Sequence, residues 1–162
     1  MEEAGTGGVT NGDLSLVIGK ISRFCAFRER CRQEVLQKMN ELEVPGEMTG
    51  PVIKFLEENN FINEVRFAGM FVTGKLRQNK WGRVKIRHEL KTRAISDEIT
   101  RDALEAIDPE EYLDILRELI LKKRKEIKTG KNLNIREKII TFVTGKGFEF
   151  DLVARELKEL KI

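Results

Sequence analysis

The sequence predicts an all-α fold built as a tandem array of small helical modules, because one apolar pattern occurs three times in the chain. Its positions step by four, five and four residues; a step of four keeps to one helix face, and the step of five crosses a short turn into the next helix. A further apolar-periodic stretch precedes each copy, so each module has three helices, and function is expected on a repeated surface rather than in one pocket. The repeated positions are Val35, Met39, Val44, Met48 and Val52/Ile53, then Ile86, Leu90, Ile95, Ile99 and Ala103/Leu104, then Ile139, Val143, Phe148, Leu152 and Leu157.

The composition is typical of a thin helical core. Of the 162 residues, 40% are hydrophobic, 35% are charged and 7% are aromatic. A module of about 50 residues buries only roughly 60% of its unfolded surface, so we expect neighbouring modules to pack together. The sequence shows neither an apolar run long enough to span a membrane nor a signal peptide. We therefore expect a cytoplasmic monomer that has no membrane partner.

The modules follow a short N-terminal segment. Residues 1–13, which are rich in glycine and threonine, are predicted to form a flexible tail. The three modules are expected at residues 14–62, 63–108 and 109–162.

The first module has an irregular third helix, since Gly50 and Pro51 fall inside the segment that the repeat predicts to be helical. A proline in a helix interior removes one hydrogen bond and clashes with the preceding turn, at a cost of roughly 3 kcal/mol. We therefore expect this helix to begin late, with Thr49 as its N-cap and Pro51 in its first turn.

The second module is predicted to carry its core positions on two helices before a capped third. The second of these helices is expected to end near Ala94, and Ser96 to cap the third, with Asp97 and Glu98 in a first turn where the helix dipole favours negative charge. The expected apolar positions are Phe67, Met70, Phe71 and Gly74 in the first helix, and Val84, Ile86 and Leu90 in the second.

The third module begins with a strong helix start. Asp108 is placed to be the N-cap, Pro109 the first helical residue, and Glu111 the partner in a capping box. Gly145 and Gly147 are expected to supply a later helix stop before Phe148. A longer connection is expected through residues 128–132, between the first and second helices of this module.

The chain lacks the residues for a catalytic or metal centre. Cys25 and Cys31 are six residues apart on one predicted helix, where they point to different faces, so we expect no disulfide. His88 is the only histidine and lies in mid-helix, so no zinc site can be assembled at normal ligand spacing. Thr144–Gly147 lacks the frame of a phosphate-binding loop. We therefore expect no enzyme activity, no metal and no cofactor.

Charge is segregated along the chain, and this matters more than the formal net charge of +3. The charged residues of the stretch 66–93 are mostly basic, and those of the stretch 97–118 are mostly acidic. From Lys122 the charged residues become basic again. Basic residues at matching places in each module would form a stripe suited to a polyanion or an acidic protein groove. The contact candidates are Arg28, Arg30, Arg32, Lys75, Arg77, Lys80, Trp81, Arg83, Lys85, Arg87, Lys122, Lys123, Arg124 and Lys125.

The sharpest candidate is the segment 75–85, which is predicted to form the turn between the first two helices of the middle module. It holds the only tryptophan, Trp81, among five basic residues. These cations can pair with phosphates or carboxylates, and the indole can stack or fill a pocket. The alternative is that Trp81 covers the core at a helix corner and the cations are only solvated; the sequence leaves both open.

Three stretches carry a family resemblance. Residues 61–72 read Phe-Ile-Asn-Glu-Val-Arg-Phe-Ala-Gly-Met-Phe-Val, and residues 74–90 continue with a Gly-Lys-Leu-Arg run, a Lys-Trp-Gly-Arg run and a closing Glu-Leu pair. Residues 25–35 begin Cys-Ala-Phe-Arg-Glu-Arg-Cys. Together they resemble the RecX family of bacterial RecA regulators, with residues 25–35 similar to Bacteroidetes-like members. The resemblance covers nearly all of the chain after the tail and is strongest in the middle module.

The resemblance implies three tandem three-helix modules in an elongated, curved array, and a non-enzymatic regulator, mainly an inhibitor, of RecA. Members of the family bind RecA and lie in the groove of the RecA–DNA filament. They restrain filament growth, ATP hydrolysis, strand exchange and the co-protease activity of RecA. The implied partners are therefore RecA and its DNA filament, with weak direct DNA binding in addition.

A different interpretation is a helical-repeat module that acts on DNA directly, with its three-helix units as helix-turn-helix variants. A structural adaptor for an acidic partner is a third. Direct DNA binding weakens steeply with salt and does not need RecA. A filament modulator acts only where filaments exist, so the two classes are separable by experiment.

Overall fold

The computed structural model describes residues 10–127 and 134–162, and every regular element in these two stretches is an α-helix. The helices follow one another in three groups of three, which confirms the predicted all-α fold of tandem three-helix modules. They are α1 (Asn11–Phe27), α2 (Arg32–Glu41), α3 (Gly46–Glu58), α4 (Glu64–Asn79), α5 (Arg83–Thr92), α6 (Asp97–Glu105), α7 (Pro109–Glu126), α8 (Ile135–Gly145) and α9 (Phe150–Glu159). Among the described residues, none of these helices is both long enough and apolar enough to cross a bilayer.

The chain forms two compact units, Met1–Phe67 and Ala68–Ile162. The first unit contains α1–α3 and the first turn of α4, and the second contains the remainder of α4 and α5–α9. The module boundaries at 62/63 and 108/109 stay predictions.

The repeated step of five residues corresponds to the same helix-ending turn in every group. Glu43, Ala94 and Gly147 follow α2, α5 and α8 with positive φ values of 53°, 56° and 96°. The N–H of the next residue then donates to the carbonyl five residues back, and the positive-φ residue donates to the carbonyl three residues back, which together make a Schellman motif. The five-residue bonds are Val44 to Met39, Ile95 to Leu90 and Phe148 to Val143, at 3.0, 3.1 and 3.2 Å.

The first unit has a core to which α1, α2 and α3 all contribute. The predicted repeat positions lie inside it, and Val44 packs against it while partly buried. Its buried members are Ile21, Cys25, Val35, Met39, Met48, Val52, Ile53, Leu56 and Ile62. The helical repeat therefore identifies the core of this unit correctly.

Helix α3 begins earlier than predicted, and the expected Thr49 cap is wrong. The helix starts at Gly46 with Pro45 as N-cap, so Pro51 lies in the helix interior. Pro51 clashes least after a residue that lacks a Cβ atom, and Gly50 precedes it with open space around its Cα. Burial of Met48 on the early turn offsets the lost hydrogen bond, because that side chain is only 4% exposed.

Helix α1 begins at Asn11, within the segment predicted as tail. Thr10 Oγ1 accepts the N–H of Asp13 at 3.2 Å, and the Asp13 carboxylate accepts the N–H of Thr10 at 3.3 Å, which completes a capping box. The remainder of the predicted tail, residues 1–9, lies outside the described residues.

On α4 the predicted Phe67 is buried and the predicted Phe71 and Gly74 are partly buried, but Met70 is on the wrong face. Met70 is 59% exposed, whereas Ala68, Val72 and Leu76, spaced by four, are buried. In α5, Val84 is likewise exposed, and the helix ends at Thr92, two residues before Ala94. Residues spaced by four share one helix face, so Ala68, Val72 and Leu76 continue along the core the burial that starts at Phe67.

The predicted helix starts of α6 and α7 are confirmed in their N-caps. Ser96 Oγ accepts the N–H of Ile99 at 3.3 Å, and an Asp108 carboxylate oxygen accepts the N–H of Glu111 at 2.8 Å, with Pro109 at the first position. The expected capping box at Glu111 is wrong, because that side chain pairs with Arg77 instead. The connection predicted through residues 128–132 lies outside the described residues.

A close backbone contact inside the second unit sets the position of α5. The Gly82 N–H donates to the Lys146 carbonyl at 2.9 Å, and the Val84 N–H donates to the Gly147 carbonyl at 3.0 Å. A Cβ atom at Gly82 would collide with the backbone of Gly147, so only glycine permits this approach. The N-terminus of α5 is thereby fixed against the turn between α8 and α9.

Candidate interaction surface

The predicted basic residues of the first unit are engaged within that unit. Arg28 pairs with Glu34 at 3.1 Å, and Arg32 pairs with Glu57 at 3.5 Å. The Arg30 guanidinium lies 3.9 Å from the centroid of the Phe24 ring. Exposed pairs of this kind are weak, so Arg28 and Arg32 remain able to exchange partners.

The predicted turn 75–85 is largely helical. Helix α4 continues through Asn79 and α5 begins at Arg83, so only Lys80–Gly82 connects them. Lys80 has a φ of 55°, and the Trp81 N–H donates to the Lys75 carbonyl at 3.1 Å, which ends α4 sharply.

Trp81 forms a cluster with two lysines. The Nζ atoms of Lys75 and Lys85 lie 4.8 and 4.4 Å from its ring centroid, within cation–π distance. The ring is partly buried, and both ammonium groups are held close to it. The indole thus lies at a helix corner with two cations against its ring, and a part for Trp81 in binding stays a prediction.

Three other cations of this segment are paired with carboxylates of the same unit. Arg77 makes two hydrogen bonds to Glu111, at 2.6 and 3.1 Å. The Nζ of Lys80 lies 3.5 Å from Glu118, and Arg83 lies 3.4 Å from Glu149. Hydrogen bonding from Arg77 holds the pKa of the Glu111 carboxyl below its ordinary value of 4.5.

Arg83 belongs to a partly buried network around Tyr112. The Tyr112 hydroxyl donates to Glu149 at 2.6 Å and accepts the Arg83 N–H at 2.9 Å. The Arg83 guanidinium lies 3.8 Å from the centroid of the Tyr112 ring, and the centroid of the Phe148 ring lies 5.0 Å from that of Tyr112. Burial raises the pKa of Tyr112, which keeps the phenol protonated as the donor.

The basic cluster at the end of α7 is different, because most of it is exposed and unpaired. Lys122, Arg124 and Lys125 are exposed and make no ion pair with another described residue. Lys123 is half-buried, with its Nζ 4.8 Å from the Phe142 ring centroid and 3.7 Å from Glu126. In the middle module, Arg87 is likewise exposed and without an ion pair among the described residues.

The predicted candidates therefore fall into engaged and available groups. Arg83 is held by Tyr112 and Glu149, which the sequence reasoning missed, whereas Arg77 and Lys80 are held by Glu111 and Glu118 of the acidic stretch. A signal for this pairing was present, since the basic stretch 66–93 is followed at once by the acidic stretch 97–118, and opposite charges on neighbouring helices attract. The stripe that joins all three modules stays a prediction.

The cysteines and His88 are not arranged for chemistry. Cys25 lies in α1 and Cys31 is the N-cap of α2, so the prediction that they share a helix is wrong; the Cys31 N–H donates to Glu34 at 3.0 Å and starts the new helix. Both thiols are buried, and burial raises the pKa of Cys25 to about 11. His88 is exposed on α5, and within the described residues no three His, Cys, Asp or Glu side chains form a metal-binding group.

Comparisons with known proteins agree on one family. The family model for the second three-helix domain of RecX matches residues 63–104. The regulatory protein RecX of Clostridium acetobutylicum is 30% identical over 146 residues, which cover 86% of this chain and 67% of that protein. The regulatory protein RecX of Prosthecochloris aestuarii is 25% identical, with 94% of this chain and 98% of that protein covered.

The fold matches as well. The crystal structure of RecX from Lactobacillus salivarius superposes with a TM-score of 0.84 at 22% identity, covering 94% of this chain and 99% of the other. Some relatives are longer, and the chain spans 53% of the regulatory protein RecX of Lactococcus lactis subsp. cremoris. The relative from Clostridium acetobutylicum is 30% identical, and the match covers 67% of that protein. Because of this similarity, this chain belongs to the RecX family of regulatory proteins.

Proposed function

We propose that this protein is a non-enzymatic regulator of RecA, and mainly an inhibitor. It binds the groove of the RecA–DNA filament and restrains filament growth, ATP hydrolysis, strand exchange and co-protease activity. It acts as a cytoplasmic monomer that requires no metal or cofactor, and it uses the modules at residues 14–62, 63–108 and 109–162.

The observation that supports this proposal most directly is the unpaired charge at the end of α7. Lys122, Arg124 and Lys125 lie within one helical turn, are exposed and have no carboxylate partner among the described residues. A filament groove presents DNA phosphates and protein carboxylates, and both pair with such cations. The chain belongs to a family of regulatory proteins, and its resemblance to RecA regulators is the reason why this proposal selects a protein–DNA partner for that charge.

The engaged cations change the design of the mutational test. Reversing Arg77, Lys80 and Arg83 to glutamate would place like charges against Glu111, Glu118 and Glu149 and disturb the second unit itself. A reversal at the end of α7 avoids this problem, because it breaks no ion pair among the described residues.

The test measures ATP hydrolysis by the cognate RecA on single-stranded DNA while this protein is titrated from far below to equal molarity. We expect inhibition at substoichiometric amounts. The variant that combines Lys122→Glu, Arg124→Glu and Lys125→Glu should need at least about tenfold more protein for the same inhibition, as expected for several lost charge contacts. The matched control combines Lys91→Glu, Lys138→Glu and Lys158→Glu, which reverses the same amount of charge at exposed positions outside the candidate set.

Equal inhibition by the two charge-reversed proteins would contradict a role for the α7 cluster. A wild-type protein that leaves RecA unaffected but binds bare DNA would favour the second candidate, a DNA-binding helical repeat. The same three unpaired cations support that alternative, since they suit phosphates on their own. Its signature is an affinity for duplex DNA that falls with salt by a log–log slope of about 0.9 for each phosphate contact.

A further inference from the structure

A groove in the second unit combines an arginine rim with an apolar interior. It has a volume of about 360 Å³ and lies between α5, α6 and the start of α7. Arg83, Arg87 and Arg101 line it together with Leu104, Ile107 and Pro109. Leu104 and Ile107 are only 2% and 8% exposed, so they lie deep, whereas Pro109 is at the surface. Arg101 was not among the candidates that the sequence indicates.

The arginines carry charge that the groove itself does not neutralise. Arg87 has no ion pair with another described residue. Arg101 reaches only the adjacent Asp102, at 3.4 Å, with both side chains more than half exposed, so this pair is weak. Arg83 is held by Glu149. Glu105 is the single carboxylate in the lining, which leaves a net positive groove.

We propose that this groove binds a short acidic segment of a partner protein, one that presents carboxylates beside an apolar side chain. Guanidinium groups match carboxylates in a bidentate geometry, and Arg87 and Arg101 are available for this pairing. The apolar side chain of the segment packs against Leu104 and Pro109, where water is displaced from an apolar surface.

A nucleic-acid occupant fits the groove less well. Asp108 and Glu110 flank Pro109, so a continuous phosphate chain that leaves the groove on this side meets carboxylates. The residues that line the groove include no aromatic side chain on which a base stacks. A short peptide confines its negative charge to the arginine rim and exploits the apolar interior, which a phosphate backbone does not.

The experiment uses the full chain and a fluorescein-labelled peptide of alternating glutamate and leucine, with binding followed by fluorescence anisotropy. The double variant Arg87→Gln/Arg101→Gln should weaken peptide binding by at least about tenfold, since each arginine contributes charge-assisted hydrogen bonds. The control variant Lys138→Gln/Lys158→Gln removes the same charge at exposed positions outside the groove and outside the α7 cluster, and it should retain the affinity. Glu105→Gln should strengthen peptide binding, because it removes the opposing carboxylate.

Labelled oligothymidylate is the competing probe. A loss that is confined to the groove variant and to the acidic peptide supports the proposal. Absence of peptide binding by the wild-type chain, equal losses in the two double variants, or a loss for oligothymidylate as large as that for the peptide would overturn it. The assay contains no RecA, so its outcome is independent of whether this protein regulates RecA.

Discussion

Two basic clusters in the second unit have similar sequences and different surroundings. In the middle segment, residues 75–85, three cations pair with carboxylates of the same unit: Arg77, Lys80 and Arg83. Its other two lysines, Lys75 and Lys85, lie over the Trp81 ring. The end of α7, residues 122–125, leaves three of its four cations exposed and unpaired among the described residues.

This difference shows that a run of basic residues predicts positive charge, but it does not predict whether that charge is free to bind a partner. The middle segment stabilises the fold because acidic helices follow it in the chain and pack beside it. The α7 cluster sits at the helix C-terminus, where its positive charge interacts favourably with the helix dipole and needs no carboxylate partner. Binding to an external partner is therefore expected from the second cluster, whereas stability is expected from the first.

The largest loss of stability is expected when the middle segment is displaced from the turn between α8 and α9 that fixes it. Gly82→Ala puts a methyl group into the Gly147 backbone, so we expect the free energy of unfolding to fall by about 3 kcal/mol, as for an overpacked interior. Gly69→Ala is the matched control on α4, where no atom lies near the new methyl group, and it should raise stability by about 0.5–1 kcal/mol. Denaturant unfolding followed by circular dichroism measures both changes, and similar values for the two variants would refute the fixed contact.

A smaller effect is expected from the hydroxyl group that joins Arg83 to Glu149. Tyr112→Phe keeps the ring but leaves the Arg83 N–H and the Glu149 carboxylate without this partner, so we expect a loss of about 1–2 kcal/mol in unfolding free energy. Glu149→Gln retains an acceptor oxygen and should cost less. If the glutamine variant is the less stable of the two, the ion pair rather than the hydroxyl fixes the segment.

Much of the fold could be predicted from the sequence, because the repeat depends on local rules. The four-five-four spacing corresponds to a helix, a Schellman turn and a second helix in each group, and both are set by residues close in the chain. The prediction failed where a choice depended on distant packing, as with Met70, which is exposed although its spacing fits the predicted apolar face. The predicted late start of α3 is wrong for a related reason. Burial of the early turn of this helix outweighs the local preference against Pro51 in a helix interior.

The candidate site was less predictable, since pairing depends on which charged helices become neighbours. Arg77 and Glu111 are 34 residues apart, and no local pattern indicates their contact. The alternation of basic and acidic stretches carried the information in coarse form, but it does not select partners. Arg101 was missed because it lies among acidic residues in the sequence. Only the fold brings it together with Arg83 and Arg87 in a basic groove.

The smallest expected effect is a dependence of stability on pH that the middle segment shows and the α7 cluster does not. Arg77 lowers the pKa of Glu111, so the folded chain holds that carboxyl deprotonated more readily than the unfolded chain does. Its contribution to stability is therefore fully present above about pH 4.5 and is lost as the pH falls through the lowered pKa. Arg77→Gln should be slightly less stable than the wild type at neutral pH and should approach it in acid. Arg124→Gln breaks no ion pair with another described residue, so it should differ from the wild type by the same small amount at every pH. Urea midpoints measured across this range test the contrast, and parallel curves for Arg77→Gln and the wild type would show that the pair of Arg77 with Glu111 does not stabilise the fold.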